Sequence, residues 1–103
     1  MNVKNIPVKE FFPGLKGKLV HGDQLTWAFW EVDEGAEVPL HQHPHEQIMH
    51  VVKGTFSFTL DGATNTYTDG DVVVIPSHIP HAGKALTACV LMDVFTPVRK
   101  DYQ

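Results

Sequence analysis

The sequence predicts an all-β chain, a sandwich or small barrel of short strands. Three observations carry this. No segment repeats its apolar residues with a helical period of 3.6. Several short runs alternate instead, as where Phe56, Phe58 and Leu60 face one way and Thr55, Ser57 and Thr59 the other. Gly, Pro and Asp turns separate the runs, at Asp33-Glu34-Gly35, Asp61-Gly62, Asp69-Gly70-Asp71 and Pro76 to Pro80. A length of 103 residues is enough for one domain and not two.

Taken in order, residues 1–18 read as an irregular arm broken by Pro7, Pro13, Gly14 and Gly17, with Phe11 and Phe12 docking on the barrel. His21 lies beside Gly22 in a turn and has no assigned role. Thr26 to Val32 alternates, with Ala28, Trp30 and Val32 on one face and Trp27, Phe29 and Glu31 on the other. A strand apolar on both faces is covered on both sides, by the core and by either a partner subunit or the arm. Val38 to His43 is the next strand, with Pro39 near its start where a missing N–H is tolerated. Gln47 to Lys53 pairs back on it across Pro44-His45-Glu46. Thr55 to Leu60 turns at Asp61-Gly62 into Thr64 to Thr68. Val72 to Ile75 is a continuous apolar strand, Pro76 to Pro80 bends the chain to present His81, and Leu86 to Phe95 is the last long strand. Residues 96–103 form a tail.

Composition excludes several classes. Eight basic and twelve acidic residues give a net charge of −4, and no Lys/Arg run suits a phosphate backbone, so no nucleic-acid partner is expected. Cys89 is the only cysteine, so no internal disulfide forms, and its apolar surroundings suit a core residue rather than a nucleophile. The N-terminal stretch lacks the continuous apolar run of a signal peptide, and no span has membrane length, so a cytoplasmic location is expected.

The chemistry concentrates between Gly35 and Gly54, which hold four of the seven histidines. His41 and His43, two apart on a strand, can aim into one interior. Gln47 can face them from the neighbouring strand, and His81 is the candidate fourth ligand. Neutral imidazoles are good ligands for divalent transition metals. Gln47, unlike a carboxylate, leaves both positive charges of the ion in place, so the ion stays a stronger electrophile toward an anionic ligand. Glu46 fails as a rival on parity: with Met49 and Val51 inward alongside Gln47, it points away. His50 has the same outward parity. His45 belongs to the turn, and His78 lies in a bend that can bring it to the site mouth.

This spacing resembles the cupin family. The first cupin motif is Gly, five residues, His, one, His, three or four, Glu, six, Gly; here Gly35, His41, His43 and Gly54 are in register, and Gln47 stands where Glu is usual. In the second motif Gly70, Pro76 and His81 match, while His78 replaces a Gly and Ala85 an Asn. The motifs span residues 35–54 and 70–85 of what the resemblance makes a single cupin domain over residues 1–103. It implies a double-stranded β-helix, or jelly-roll barrel. It also implies one divalent transition metal per chain (Zn, Ni, Mn, Fe or Co) on His41, His43, Gln47 and His81. Small cupins commonly pair, so a homodimer is expected, with Thr26–Val32 contributing to the interface.

The first motif, together with Asp-x-Phe-x-Pro-x-Arg-x-Asp-Tyr at the end of the chain, is similar to the pectin-degradation subgroup of small cupins. That subgroup promotes ring opening and ketonisation of 4,5-unsaturated uronate monosaccharides. The resemblance implies Asp93 as the acidic catalytic residue, Phe95 as its aromatic neighbour and Arg99 as the substrate-binding arginine. Trp27, Trp30 and His78 are further candidates for the substrate wall and mouth. Two other classes fit the same ligands: a metal-dependent dioxygenase and a non-catalytic cupin that binds a small ligand.

Overall fold

A computed structural model describes all 103 residues. It has ten strands: β1 (Lys9–Phe12), β2 (Leu15–His21), β3 (Thr26–Val32), β4 (Glu37–His41), β5 (Glu46–Lys53), β6 (Phe56–Leu60), β7 (Ala63–Tyr67), β8 (Val72–Ile75), β9 (His81–Ala85) and β10 (Cys89–Thr96). They form two antiparallel sheets, one in the order β1-β2-β3-β10-β5-β8 and the other β4-β9-β6-β7. The architecture is the expected all-β jelly roll. The core lies between the sheets, where the inward residues of β3, β5, β6, β8 and β10 meet.

Alternation dictates which side chains enter. On β3, Ala28, Trp30 and Val32 are buried; on β5, Gln47, Met49 and Val51; on β10, Leu91, Asp93 and Phe95. The outer face of the larger sheet stays partly apolar, with Ile48, Val52, Val72, Val74 and Val94 exposed. The β6–β7 hairpin turns on Asp61 (φ 50°) and Gly62 (φ 82°), the paired positive dihedrals that a two-residue hairpin of right twist requires. Cys89 is buried, and burial pushes its thiol pKa up, as befits a core side chain.

Four sequence expectations are corrected. The arm is not irregular, because β1 and β2 extend the larger sheet. Gly17 sits opposite Trp30, and a Cβ there would lie 2.3 Å from the indole ring. The glycine that looks like a breaker is what allows the ring to lie against the strand. Second, β4 ends at His41, so His43 lies just past the strand. Third, β4 and β5 do not pair: β4 pairs with β9, and β5 lies between β10 and β8 in the opposite sheet. The chain from Gln42 to His45 crosses the barrel instead of closing a hairpin. Fourth, His81–Ala85 is a strand of its own, and Leu86 to Ala88 bends the chain before β10 begins at Cys89.

Candidate metal centre

Two histidines come from the smaller sheet. His41 on β4 pairs directly with His81 on β9, and their ring centroids are 4.3 Å apart. His43 follows on the crossing segment, 4.9 Å from the His81 ring. One ligating nitrogen from each of the three can be chosen so that all lie within 4.8 Å of one another. The cluster can therefore hold a divalent ion.

The backbone fixes two of the tautomers. Nδ1 of His41 donates to the Pro39 carbonyl at 2.7 Å. Nδ1 of His43 lies 3.0 Å from the His45 carbonyl, and Nδ1 of His81 donates to the Ile79 carbonyl at 2.9 Å. A carbonyl only accepts, so in His41 and His81 Nδ1 carries the proton and Nε2 is left with a lone pair, while both ring nitrogens of His43 face oxygen acceptors, the His45 carbonyl and Gln47 Oε1. Burial, then the positive charge of Arg99 and the neighbouring His81, hold the His43 pKa down to about 4. Burial also lowers that of His81, against the pull of its bond to Ile79. Both rings are thus kept in the neutral, ligating form at neutral pH.

Across the interior, the larger sheet supplies three polar groups. Asp93 is on β10, between β3 and β5. Its register partners are Ala28 and Met49, so Trp30 and Gln47 are its diagonal neighbours on the same face. Nε1 of Trp30 donates to Oδ2 of Asp93 at 2.9 Å, and Nε2 of Gln47 donates to Oδ1 at 2.8 Å. Burial raises the Asp93 pKa to about 6, despite the donors Gln47 and Trp30 and the charge of Arg99.

Whether a cation fits can be tested on one contact. Oε1 of Gln47 lies 3.0 Å from Nε2 of His43. Neutral His43 has one ring proton for two oxygen acceptors, and the amide nitrogen of Gln47 faces Asp93. With the proton on Nδ1, as in His41 and His81, the Nε2 lone pair faces the Gln47 oxygen in a buried site, which repels unless a cation lies near both. Ligands about 2.1 Å from one ion and at right angles are about 3 Å apart. The donor set fits a divalent ion, with Oε1 of Gln47 lying beside the three-histidine cluster.

The tail roofs the same space. A cavity of about 60 Å³ between the sheets is lined by His41, Gln47, His81, Asp93, Phe95 and Arg99, among others. Arg99 is only 4% exposed. Its backbone N–H donates to Thr26 Oγ1 at 2.9 Å. Its guanidinium lies 3.9 Å from the Tyr102 ring centroid and 4.7 Å from that of Phe95. Nε and Nη2 of Arg99 donate to the two carboxylate oxygens of Asp101, at 3.0 and 2.8 Å.

Other candidates fall outside. Trp27 is on the outer face of β3, stacked beside Phe29 with centroids 6.2 Å apart, and does not line the cavity. His78 is exposed and also off the cavity. It takes the left-handed φ of 63° at the position where the motif has Gly, and only its backbone N–H approaches the site, donating to the His43 carbonyl at 2.8 Å. Trp30 lines the cavity, but its N–H is committed to Asp93. His45, assigned to a turn, is buried beside His43 and Phe95, with its Nδ1 lacking a partner. Tyr102 was missed as a lining residue; its place three positions after Arg99 in the terminal motif was the available signal.

Fold and site define a jelly roll with a three-histidine cluster facing a buried acid. Residues 28–95 match the family described as the cupin domain, and the chain belongs to that family. Over its full length it is similar to an RmlC-like cupin from Shewanella frigidimarina, with 30% identity, TM-score 0.95 and 94% of that chain covered. It is also similar over its full length to KdgF from Halomonas sp., with 32% identity, TM-score 0.91 and 96% of that chain covered. Oxalate decarboxylase from Lactobacillus farciminis shares the fold alone, at 19% identity and TM-score 0.83, with 94% of this chain matched to 32% of that one. No curated protein matches.

Proposed function

We propose that this cupin is a metal-dependent, non-redox enzyme that promotes ring opening and ketonisation of 4,5-unsaturated uronate monosaccharides. The observation that carries the proposal is one cavity lined by ligating histidines, the buried carboxylate of Asp93 and the buried guanidinium of Arg99. The terminal motif similar to the pectin-degradation subgroup and the full-length likeness to KdgF support the same reading.

A divalent ion on His41, His43, Gln47 and His81 supplies Lewis-acid polarisation of sugar oxygens when bound. The chain's own residues do the rest. Arg99 pairs with the uronate carboxylate through the part of its fork that Asp101 leaves open, its plane held by Tyr102 and Phe95. Asp93 moves a proton during the enol-to-keto step. Each of its oxygens accepts one hydrogen bond and keeps a further lone pair, and a pKa of about 6 suits proton exchange near neutrality. Phe95 forms the apolar wall.

The test is incubation of metal-loaded protein with an unsaturated uronate, followed by NMR. The linear keto-uronate appears if the proposal holds; unchanged substrate overturns it. Oxygen consumption during turnover would instead identify a dioxygenase. The exposed outer face of the larger sheet, with Val72 and Val74 more than half exposed, supports a homodimer as a second copy's docking face. Light scattering showing a monomer at micromolar concentration would overturn that.

A further inference from the structure

The metal ligands account for only half of the Gln47 side chain. Its other half, the amide nitrogen, donates to Oδ1 of Asp93 at 2.8 Å. The second Asp93 oxygen accepts from the Trp30 indole at 2.9 Å. An indole N–H only donates, and a carboxylate only accepts. Of the two ends of the Gln47 amide, only the nitrogen can therefore face Asp93. A flip would set amide oxygen against carboxylate oxygen at hydrogen-bond distance, in a site where Gln47 is 7% and Asp93 6% exposed. Such an opposition is costly where water cannot intervene.

We propose that Asp93, held by the Trp30 indole, is a positioning residue that orients the Gln47 amide so that its oxygen, and not its nitrogen, is presented to a divalent cation beside His43. This rests on the reading of His41, His43, Gln47 and His81 as the metal ligands. It is separate from any role of Asp93 in proton transfer. It also gives a physical reason for Gln where the cupin motif usually has Glu. A carboxylate at position 47 has no proton to give Asp93, so the two anions would repel. Gln47 and Asp93 are a matched pair, and each constrains the other's chemistry.

The test is a calorimetric titration of Co²⁺ into chelator-stripped protein, on wild type, Asp93→Asn, Gln47→Glu and the double variant. Asp93→Asn is nearly isosteric, and its new NH₂ can donate to a flipped amide oxygen. It should weaken Co²⁺ binding about 10- to 100-fold, the scale for removing a partner of a metal ligand. In the Gln47→Glu background the same substitution removes a like charge and supplies a donor, so there it should strengthen binding. That reversal of sign supports the proposal. Trp30→Phe, which leaves Asp93 without one donor, should weaken binding by a smaller factor.

Co²⁺ binding unchanged by Asp93→Asn overturns the inference. So does a loss of equal size in both backgrounds, which is the mark of a merely structural residue. Absence of Co²⁺ binding by the wild type overturns the metal assignment itself, and this inference with it. Thermal melts of the stripped variants identify any that fail to fold, and the comparison between the two backgrounds is then repeated with Asp93→Ser. That variant lacks the carboxylate, so it should weaken Co²⁺ binding beside Gln47 and strengthen it beside the Gln47→Glu carboxylate. Equal loss in both again overturns the proposal.

Discussion

The two walls of the cavity are built differently. On one wall, each histidine takes its orientation from a backbone carbonyl two residues away: Pro39 for His41, His45 for His43 and Ile79 for His81. On the other, Asp93 is fixed by partners 46 and 63 positions distant, Gln47 and Trp30. The first wall is set by local chain geometry and holds its proton pattern wherever those short segments keep their shape. The second exists only once β3, β10 and β5 are aligned in register. Local chain geometry therefore orients each imidazole, while long-range pairing, of β4 with β9 as well as of β10 with β3 and β5, brings the histidines together and sets where the acid stands.

The largest effect should come from breaking the local wall. His43→Ala removes an imidazole nitrogen and should lose most bound metal, a larger loss than the about 10- to 100-fold that follows removal of a ligand's partner. His50→Ala, on the outward parity of β5, should lose none. Metal analysis after dialysis checks this, and equal loss from both would mean adventitious binding to a histidine-rich chain.

Next is the distant wall. At saturating metal, Asp93→Asn should reduce turnover roughly 100-fold or more, the usual scale for general acid–base catalysis. Turnover per folded, metal-loaded molecule equal to wild type would show that Asp93 only positions. Arg99→Ala should act more on KM than on kcat for a carboxylated sugar, since it removes the charge that pairs with the carboxylate. A KM left at the wild-type value would remove Arg99 from the binding site.

The smallest effect concerns acid stability of the metal-free fold. With a His43 pKa of about 4 in the fold against 6.5 as its ordinary value, the unfolded chain takes up a proton first. His43 therefore costs stability as pH falls from about 6.5 to about 4, and His81 acts in the same direction. Asp93, raised from 3.8 to about 6, works the other way: the fold binds its proton first, so its contribution improves as pH falls through 6. The two oppose each other. Asp93→Asn removes the opposition and should make urea stability fall more steeply between pH 6 and 4. A slope unchanged from wild type would contradict the buried placement of that carboxyl.

The same contrast explains what the sequence makes legible. The histidine motif was readable because spacing two apart and a downstream Pro-x-x-x-x-His are local patterns. Strand parity correctly placed Gln47 inward and Glu46 and His50 outward, and put Asp93 and Phe95 on one face. Parity could not say which face of β3 lines the cavity, and so Trp27 was grouped with Trp30. Nor could it show that β4 and β5 belong to opposite sheets, because a three-residue turn and a barrel crossing look alike in sequence. The Trp30–Asp93 bond was out of reach for the same reason: it depends on β10 lying beside β3.

Gly17 gives that bond an unexpected dependence. It has no polar atom in its side chain and lines no part of the cavity, yet the Trp30 ring rests where its Cβ would be. A methyl group there would displace the indole, and with it the donor that holds Oδ2 of Asp93. The alignment of the buried acid is thus governed from the far side of β3, by empty space. A single added carbon on β2 would act on the reactive centre through one intervening ring, leaving every ligating side chain unaltered.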